Sequence, residues 1–192
     1  MWSVRDPHES NASAGILESG DFSIRALGAE DFALVRALKP STPADIFELP
    51  DSDHAFRTFI ADLGAKPWSL PFVCLSAEKP IGVCFMSVAQ LKNLNAYLVA
   101  LFSEPAVERV PLALYIRHAF WSFPLHRLYA HVPALTGVTS HVEALVGVGF
   151  QHEGVLAAHV PSPDGPQDAI VLGLLREEFN LWCEQNQPGL AL

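Results

Sequence analysis

LNAYLVALFSEPAVERVPLALYIRHAFWSFPLHRLYAHV, residues 94–132, reads as a strand, a turn, a helix and a second strand. LNAYLVALF (94–102) is an apolar run of strand length, rich in aromatic and branched side chains. From Leu112 the apolar residues fall at Leu112, Tyr115, Ile116, Ala119, Phe120 and Phe123, the stripe of an amphipathic helix buried against a sheet. Pro124 ends that helix, and RLYAHV (127–132) is a short strand. A strand-turn-helix junction often holds phosphate, because the first helical N–H groups are unpaired and the helix dipole favours negative charge there. Here the junction contains no glycine and carries two glutamates, Glu104 and Glu108. Proline suits the first helical position and disfavours helical geometry in the residue before it, so the helix is predicted to begin near Pro111.

The same reading extends in both directions. FSIRAL (22–27) alternates like a strand, and Ala29 to Leu38 has apolar residues at helical spacing, stopped by Lys39-Pro40. STPADIFELPDSD (41–53) is an acidic, proline-punctuated connection, with Asp53 as the expected cap of a second helix that Gly64 ends. PFVCLSAE (71–78) and PIGVCFMSVAQ (80–90) are expected to pair as an antiparallel hairpin about Glu78-Lys79-Pro80. Beyond residue 132 come a helix at 139–149, strands FQHEGVLAAHV (150–160) and DAIVLGLL (168–175), and a short C-terminal helix. Helices interspersed among strands imply an α/β or α+β sheet covered on both faces. A loosely ordered arm at 1–20, one domain at 21–180 and a tail at 181–192 are expected.

With 192 residues the chain is long enough for one sizeable core and too short for a second full domain. A net charge of −9 argues against nucleic acid, whose binding draws on clustered Lys and Arg, and favours a cationic or amine-bearing partner. The first residues lack the basic and apolar regions of a secretory signal, and no stretch is long enough to span a membrane. A soluble, cytoplasmic protein is the expectation. The cysteines Cys74, Cys84 and Cys183 have no metal-ligand spacing, and the histidines form no ligand motif, so no metal is predicted. Cys74 and Cys84 are expected as buried free thiols on neighbouring strands.

Three strings, PLHRLYAHV (124–132), VGFQHEGVL (148–156) and DAIVLGLLREEF (168–179), in this order and spacing, resemble the GNAT superfamily of N-acetyltransferases, most closely its RimJ/RimL-type branch. The likeness runs from about Phe22 to Phe179. It implies a central mixed, mainly antiparallel sheet of six to seven strands with helices on both faces. It also implies that the strands 94–102 and 127–132 splay apart to admit a pantetheine arm. Counting back from Leu125-His126-Arg127 places Ser103 to Glu108 on the family's acyl-CoA pyrophosphate loop, whose signature positions read Ser103, Ala106 and Glu108 here. The glycines of such a loop let backbone approach phosphate, whereas Ala106 narrows that approach and Glu108 adds an anion. Val107 and Arg109 complete the junction, with Arg109 its one cation.

Aminolysis of a thioester needs an oxyanion donor, an acid for the departing thiolate and a base for the amine. The resemblance places the donor on the backbone of Val99, Ala100, Leu101 and Phe102, and sets His141 where the family's Rim-type serine protonates the thiolate. Histidine can donate a proton near neutral pH, and it can equally be an ordinary helix residue. The Asn expected nearby corresponds to Val138. No Glu stands in NAYLVALF to serve as base, which leaves Glu48, Asp51 or Asp53 in the acidic connection, or Asp168 beside the turn. The implied activity is transfer of acetyl or another acyl group from acetyl-CoA to a primary amine of a protein N-terminus or small molecule, by a monomer or homodimer. Two alternatives stand beside it: a donor carried on an acyl carrier protein, which lacks the diphosphate, and a catalytically inactive GNAT-fold module that binds a ligand or partner.

Overall fold

A computed structural model describes residues 17–38, 50–66, 69–103, 109–134, 139–162, 164–187 and Leu190. In chain order the elements are β1 (Leu17–Ser19), β2 (Phe22–Ala26), a 3-10 turn (Ala29–Asp31) running into α1 (Phe32–Leu38), α2 (Asp53–Ala65), β3 (Phe72–Ser76) and β4 (Lys79–Gln90). There follow β5 (Asn95–Phe102), α3 (Arg109–Ser122), β6 (Arg127–Pro133), α4 (Thr139–Gly147), β7 (Gln151–Val160), β8 (Gln167–Leu175) and α5 (Arg176–Asn186). The strands form one sheet of eight in the order β1-β2-β3-β4-β5-β6-β8-β7. Every neighbouring pair is antiparallel except β5 and β6, which run parallel because α3 carries the chain back between them.

The sheet has one strand more than the six to seven expected. The addition is β1, which pairs with β2 through Leu17↔Ile24 and lies inside the stretch predicted as an arm. Leu17 is buried, so an apolar contact too short for periodicity to register fixes this segment. At the other end, α5 crosses the predicted boundary at residue 180, and the buried Phe179, Cys183 and Leu190 join the same core.

The two faces of the sheet are filled separately. On one side α3, α4 and α5 cover Cys74, Cys84, Leu98, Ala100, Phe102, Leu128, Ala130 and Leu172; on the other, α1 and α2 cover Val73, Leu75, Val83 and part of Leu101. Side chains alternate across a strand, so Leu98, Ala100 and Phe102 face α3 while Tyr97, Val99 and Leu101 face the α1–α2 side. α3 is buried at Leu112, Leu114, Tyr115, Ile116 and Phe120, each side chain contributing roughly 1.5–3 kcal/mol. The Tyr115 hydroxyl keeps a partner in that setting by donating to the Leu70 carbonyl at 2.9 Å.

Local chemistry refines several expectations. Arg109 and Val110, ahead of Pro111, are already helical, since the first-turn N–H groups need no intrahelical acceptor and proline there loses nothing. Ser52, not Asp53, caps α2, its Oγ accepting from the Ala55 N–H at 3.2 Å. Asp53 sits inside the first turn and pairs with Arg57 at 2.7 Å. The hairpin turn is Ala77-Glu78, both with positive φ, one step earlier than predicted. Arg25 grips the buried Asp31 through two bonds of 2.8 and 2.7 Å, and Asp31 also accepts the Gly28 N–H, which locks α1 to β2. Cys74 and Cys84 are buried free thiols with sulfurs 3.7 Å apart. No helix among the described residues is long and apolar enough to cross a membrane.

Candidate active site

β5 pairs with β4 along almost its whole length, from Ser87↔Tyr97 to Gly82↔Phe102. Its pairing with β6 covers only Asn95↔Arg127, Ala96↔Leu128 and Tyr97↔Tyr129. Beyond that point β6 continues against β8 from Ala130↔Leu172 to Pro133↔Ala169, while β5 continues against β4. The two strands fork at Tyr97 and Tyr129, and the fork opens toward the N-terminus of α3.

The direction of each backbone group in the fork follows from its neighbours. Ser103 donates its N–H to Ile81 on β4 at 2.9 Å, and Leu94 accepts the His126 N–H at 2.9 Å on the β6 side. Alternation then turns the N–H of Val99 and Leu101 toward β4 and that of Ala100 and Phe102 into the fork. Ala100 and Phe102 are buried, so their fork-facing polar groups lie in a poor environment to be left without a partner. Among the four residues predicted on this strand, these two direct their N–H groups into the fork.

Ser103 folds back on β4, its hydroxyl donating to the Ile81 carbonyl at 3.0 Å. Ala106, Val107, Glu108, Val138 and Glu48 lie outside the described residues. Arg109 is exposed at the first position of α3, with its side chain lying over Gly147 at the end of α4, where a cation complements the helix dipole. His141 is half-buried in the first turn of α4, the helix reached from the open end of β6. Asp53 is held by Arg57, and Asp168 accepts the Ala158 N–H at 2.8 Å, so both carboxylates already have partners.

One cluster went unanticipated. At the apex of the fork, on the α1–α2 side of the sheet, Tyr97, Tyr129, His131 and His159 stand ring against ring. The centroids are 5.4 Å apart for Tyr97 and Tyr129, 5.4 Å for Tyr97 and His131, and 5.3 Å for His131 and His159. The Tyr97 hydroxyl donates to the His131 carbonyl at 3.3 Å, bridging the two limbs just above their last paired residues. Burial pushes the Tyr97 phenol up to about 12, so it stays a donor at neutral pH. Burial, and secondarily the neighbouring His159, push the His131 imidazole below its ordinary value, which keeps it neutral. The signal was present in RLYAHV, where Arg127, Tyr129 and His131 alternate with the buried Leu128, Ala130 and Val132.

Tertiary contacts shape the flank of this cluster. Arg127 forms a two-bond ion pair with Glu153, whose carboxylate lies over Gly173, where an added Cβ would displace it. The pair holds the Glu153 carboxyl below the usual carboxylate range through hydrogen bonding to Arg127. Farther along β7, register shifts between Leu156 and Val160, and Ala158 adopts φ of 49°. Asp168 fixes that bulge, which turns His159 onto His131. Among the described residues no three His, Cys, Asp or Glu side chains converge as a metal site.

Solved structures match this architecture over most of the chain. The fold is that of the GNAT N-acetyltransferases. RimJ of Mycobacterium smegmatis in complex with CoA-disulfide superposes with a TM-score of 0.69 at 18% identity, over 82% of this chain and 83% of that one. Ribosomal-protein-S5-alanine acetyltransferase from Vibrio fischeri gives 0.68 at 14% identity, over 85% and 97%. A spermidine N-acetyltransferase SpeG chimera from Vibrio cholerae and hSSAT gives 0.67 at 19%, over 83% and 98%. No protein-family model and no curated protein sequence matches the chain. At these identities the likeness is one of GNAT architecture, and chemistry must be argued from the fork.

Proposed function

We propose that the protein is an N-acyltransferase that moves an acetyl or other acyl group from acetyl-CoA to a primary amine of a protein N-terminus or small molecule, as a soluble cytoplasmic enzyme. The single observation that carries this reading is the β5/β6 fork, whose unpaired limb presents the Ala100 and Phe102 N–H groups. An extended pantetheine arm carries amide carbonyls that suit such donors. The Ala100 N–H is the group we assign to the oxyanion that develops when the amine attacks the thioester, a role worth on the order of 10²–10³ in rate. His141, at the start of α4, is the proposed acid for the departing thiolate. The similarity of RimJ in complex with CoA-disulfide, and of enzymes named for S5-alanine and spermidine acetylation, supports an acyl-CoA donor and an amine acceptor.

The sequence at the pyrophosphate position favours a second version of the donor. Ser103 directs its hydroxyl to Ile81, and the junction carries a Cβ at Ala106 and a carboxylate at Glu108. A donor tethered to an acyl carrier protein has the pantetheine arm without the diphosphate. Isothermal titration of the full chain with acetyl-CoA tests the reading, and acetyl-pantetheine tests the choice of donor. Saturable heat with acetyl-CoA supports free-CoA use; equal affinity for acetyl-pantetheine shifts the donor to a carrier protein. No heat from either ligand at millimolar concentration contradicts the transferase.

A further inference from the structure

We propose that His131 is the base of the reaction, accepting a proton from the incoming ammonium on a ring nitrogen, with the exposed His159 beside it opening the way for that proton to reach solvent. This inference rests on the acyltransferase reading, and it fills the role for which the sequence offers no carboxylate on β5. Position carries it. His131 is two residues past the last β5–β6 pair, on the open limb of the fork, and its ring packs on Tyr97 at the apex. It lies on the α1–α2 side of the sheet, opposite the face that α3 fills, so an amine arriving there meets a thioester lying in the fork from the side away from α3.

Three of the described acidic residues are engaged elsewhere. Asp53 is paired with Arg57, Glu153 with Arg127, and Asp168 holds the Ala158 amide. Among the described residues the titratable groups around His131 are Tyr97 on β5, Tyr129 on its own strand and His159 on β7, while its partner on β8 is the apolar Val171. None of these is a carboxylate that would hold a charged imidazolium, so the ring remains free to take a proton at neutral pH. Asp168 acts at one remove, as a positioning residue: its bond at the β7 bulge sets His159 against His131.

The proton inventory closes. His131 takes one proton from R–NH3+, and the freed nitrogen lone pair forms the C–N bond while the carbonyl electrons move to oxygen. Those electrons return as the C–S bond breaks, the sulfur leaves with its bonding pair, and it receives the second nitrogen proton through the proposed acid. The first proton passes from His131 to water at His159. No oxidant or further reactant enters.

The test is turnover of acetyl-CoA with spermidine and with an alanine-terminated peptide as acceptor probes, measured from pH 5 to 9. His131→Gln should lower kcat by about 10²-fold while leaving acetyl-CoA affinity and thermal stability near wild type. The wild-type acid limb, with its inflection below the ordinary histidine value of about 6.5, should vanish in the variant. Asp168→Asn should move that limb without abolishing turnover, and His152→Gln should change nothing. A second arm needs no acceptor: in the ring-labelled full chain, His131 should titrate below about 6.5, and saturation with acetyl-CoA should move the His131 ring signal and leave the His152 ring signal in place. Acetyl-CoA that binds, together with a His131 signal blind to it or a His131→Gln profile matching wild type, overturns this inference and leaves the transferase standing. Acetyl-CoA and acetyl-pantetheine that both fail to bind overturn the two together.

Discussion

The two halves of β5 are one strand with two different environments. From Asn95 to Tyr97 it is hydrogen-bonded on both sides, to β4 and to β6. From Ala100 to Phe102 the β4 side is unchanged, but the β6 side faces an opening. Composition does not distinguish the halves, since Ala96 and Ala100 are both buried on the α3 face. The difference arises across the sheet, where β6 turns away to stay with β8 through Ala130, His131, Val132 and Pro133. Pro133 has no N–H and so gives up little by facing the fork. A sheet can thus offer a ligand main-chain donors without any specialised side chain, provided that one strand parts from its neighbour.

Proline substitutions break this comparison most sharply. Val99→Pro removes an N–H directed at β4 and leaves its buried acceptor unpaired, so it should cost at least about 2 kcal/mol and show as a large fall in melting temperature. Ala100→Pro removes the N–H directed into the fork. Its expected stability loss is smaller than that of Val99→Pro, while turnover should fall by roughly 10²-fold and acetyl-CoA heat should diminish. Equal destabilisation by the two variants would mean that both amides are committed to the sheet.

A milder change sharpens the account of the β6 limb. Arg127 and Glu153 are about one-third exposed or less and tie β6 to β7 below the fork, so Glu153→Gln should cost no more than about 1 kcal/mol at pH 7. The folded-state pKa of Glu153 is depressed, so the stabilisation is present above the ordinary carboxylate range and is lost as pH falls through the lowered value. Urea melts of wild type and variant should therefore converge in strong acid. A difference that persists there would assign the effect to packing over Gly173 instead.

Much of the fold was legible because its signals are local. Alternation marks β2, apolar runs about a tight turn mark β3 and β4, and the stripe from Leu112 to Phe123 marks α3. β1 escaped because three residues, Leu17–Ser19, cannot display a period, and only Leu17 is buried. The site was less legible. Splaying of β5 and β6 came from the family resemblance, since no residue in either strand encodes it alone. The cluster at the apex joins residues 97, 129, 131 and 159, brought together by a parallel pairing and by a bulge at Ala158 that no short-range pattern announces. His131 therefore read as one polar residue in a short apolar strand. Asp168 was recognised as a candidate, and its carboxylate instead shapes the β7 bulge.

Amide hydrogen exchange along β5 tests the fork most directly. In the free protein the Val99 and Leu101 amides should exchange slowly, like the rest of the β4–β5 ladder, while the Ala100 and Phe102 amides exchange markedly faster. Saturating acetyl-CoA should slow the fast pair and leave the slow pair alone. Uniform protection of all four amides in the free protein, unaltered by acetyl-CoA, would contradict an open fork and the acyltransferase built on it.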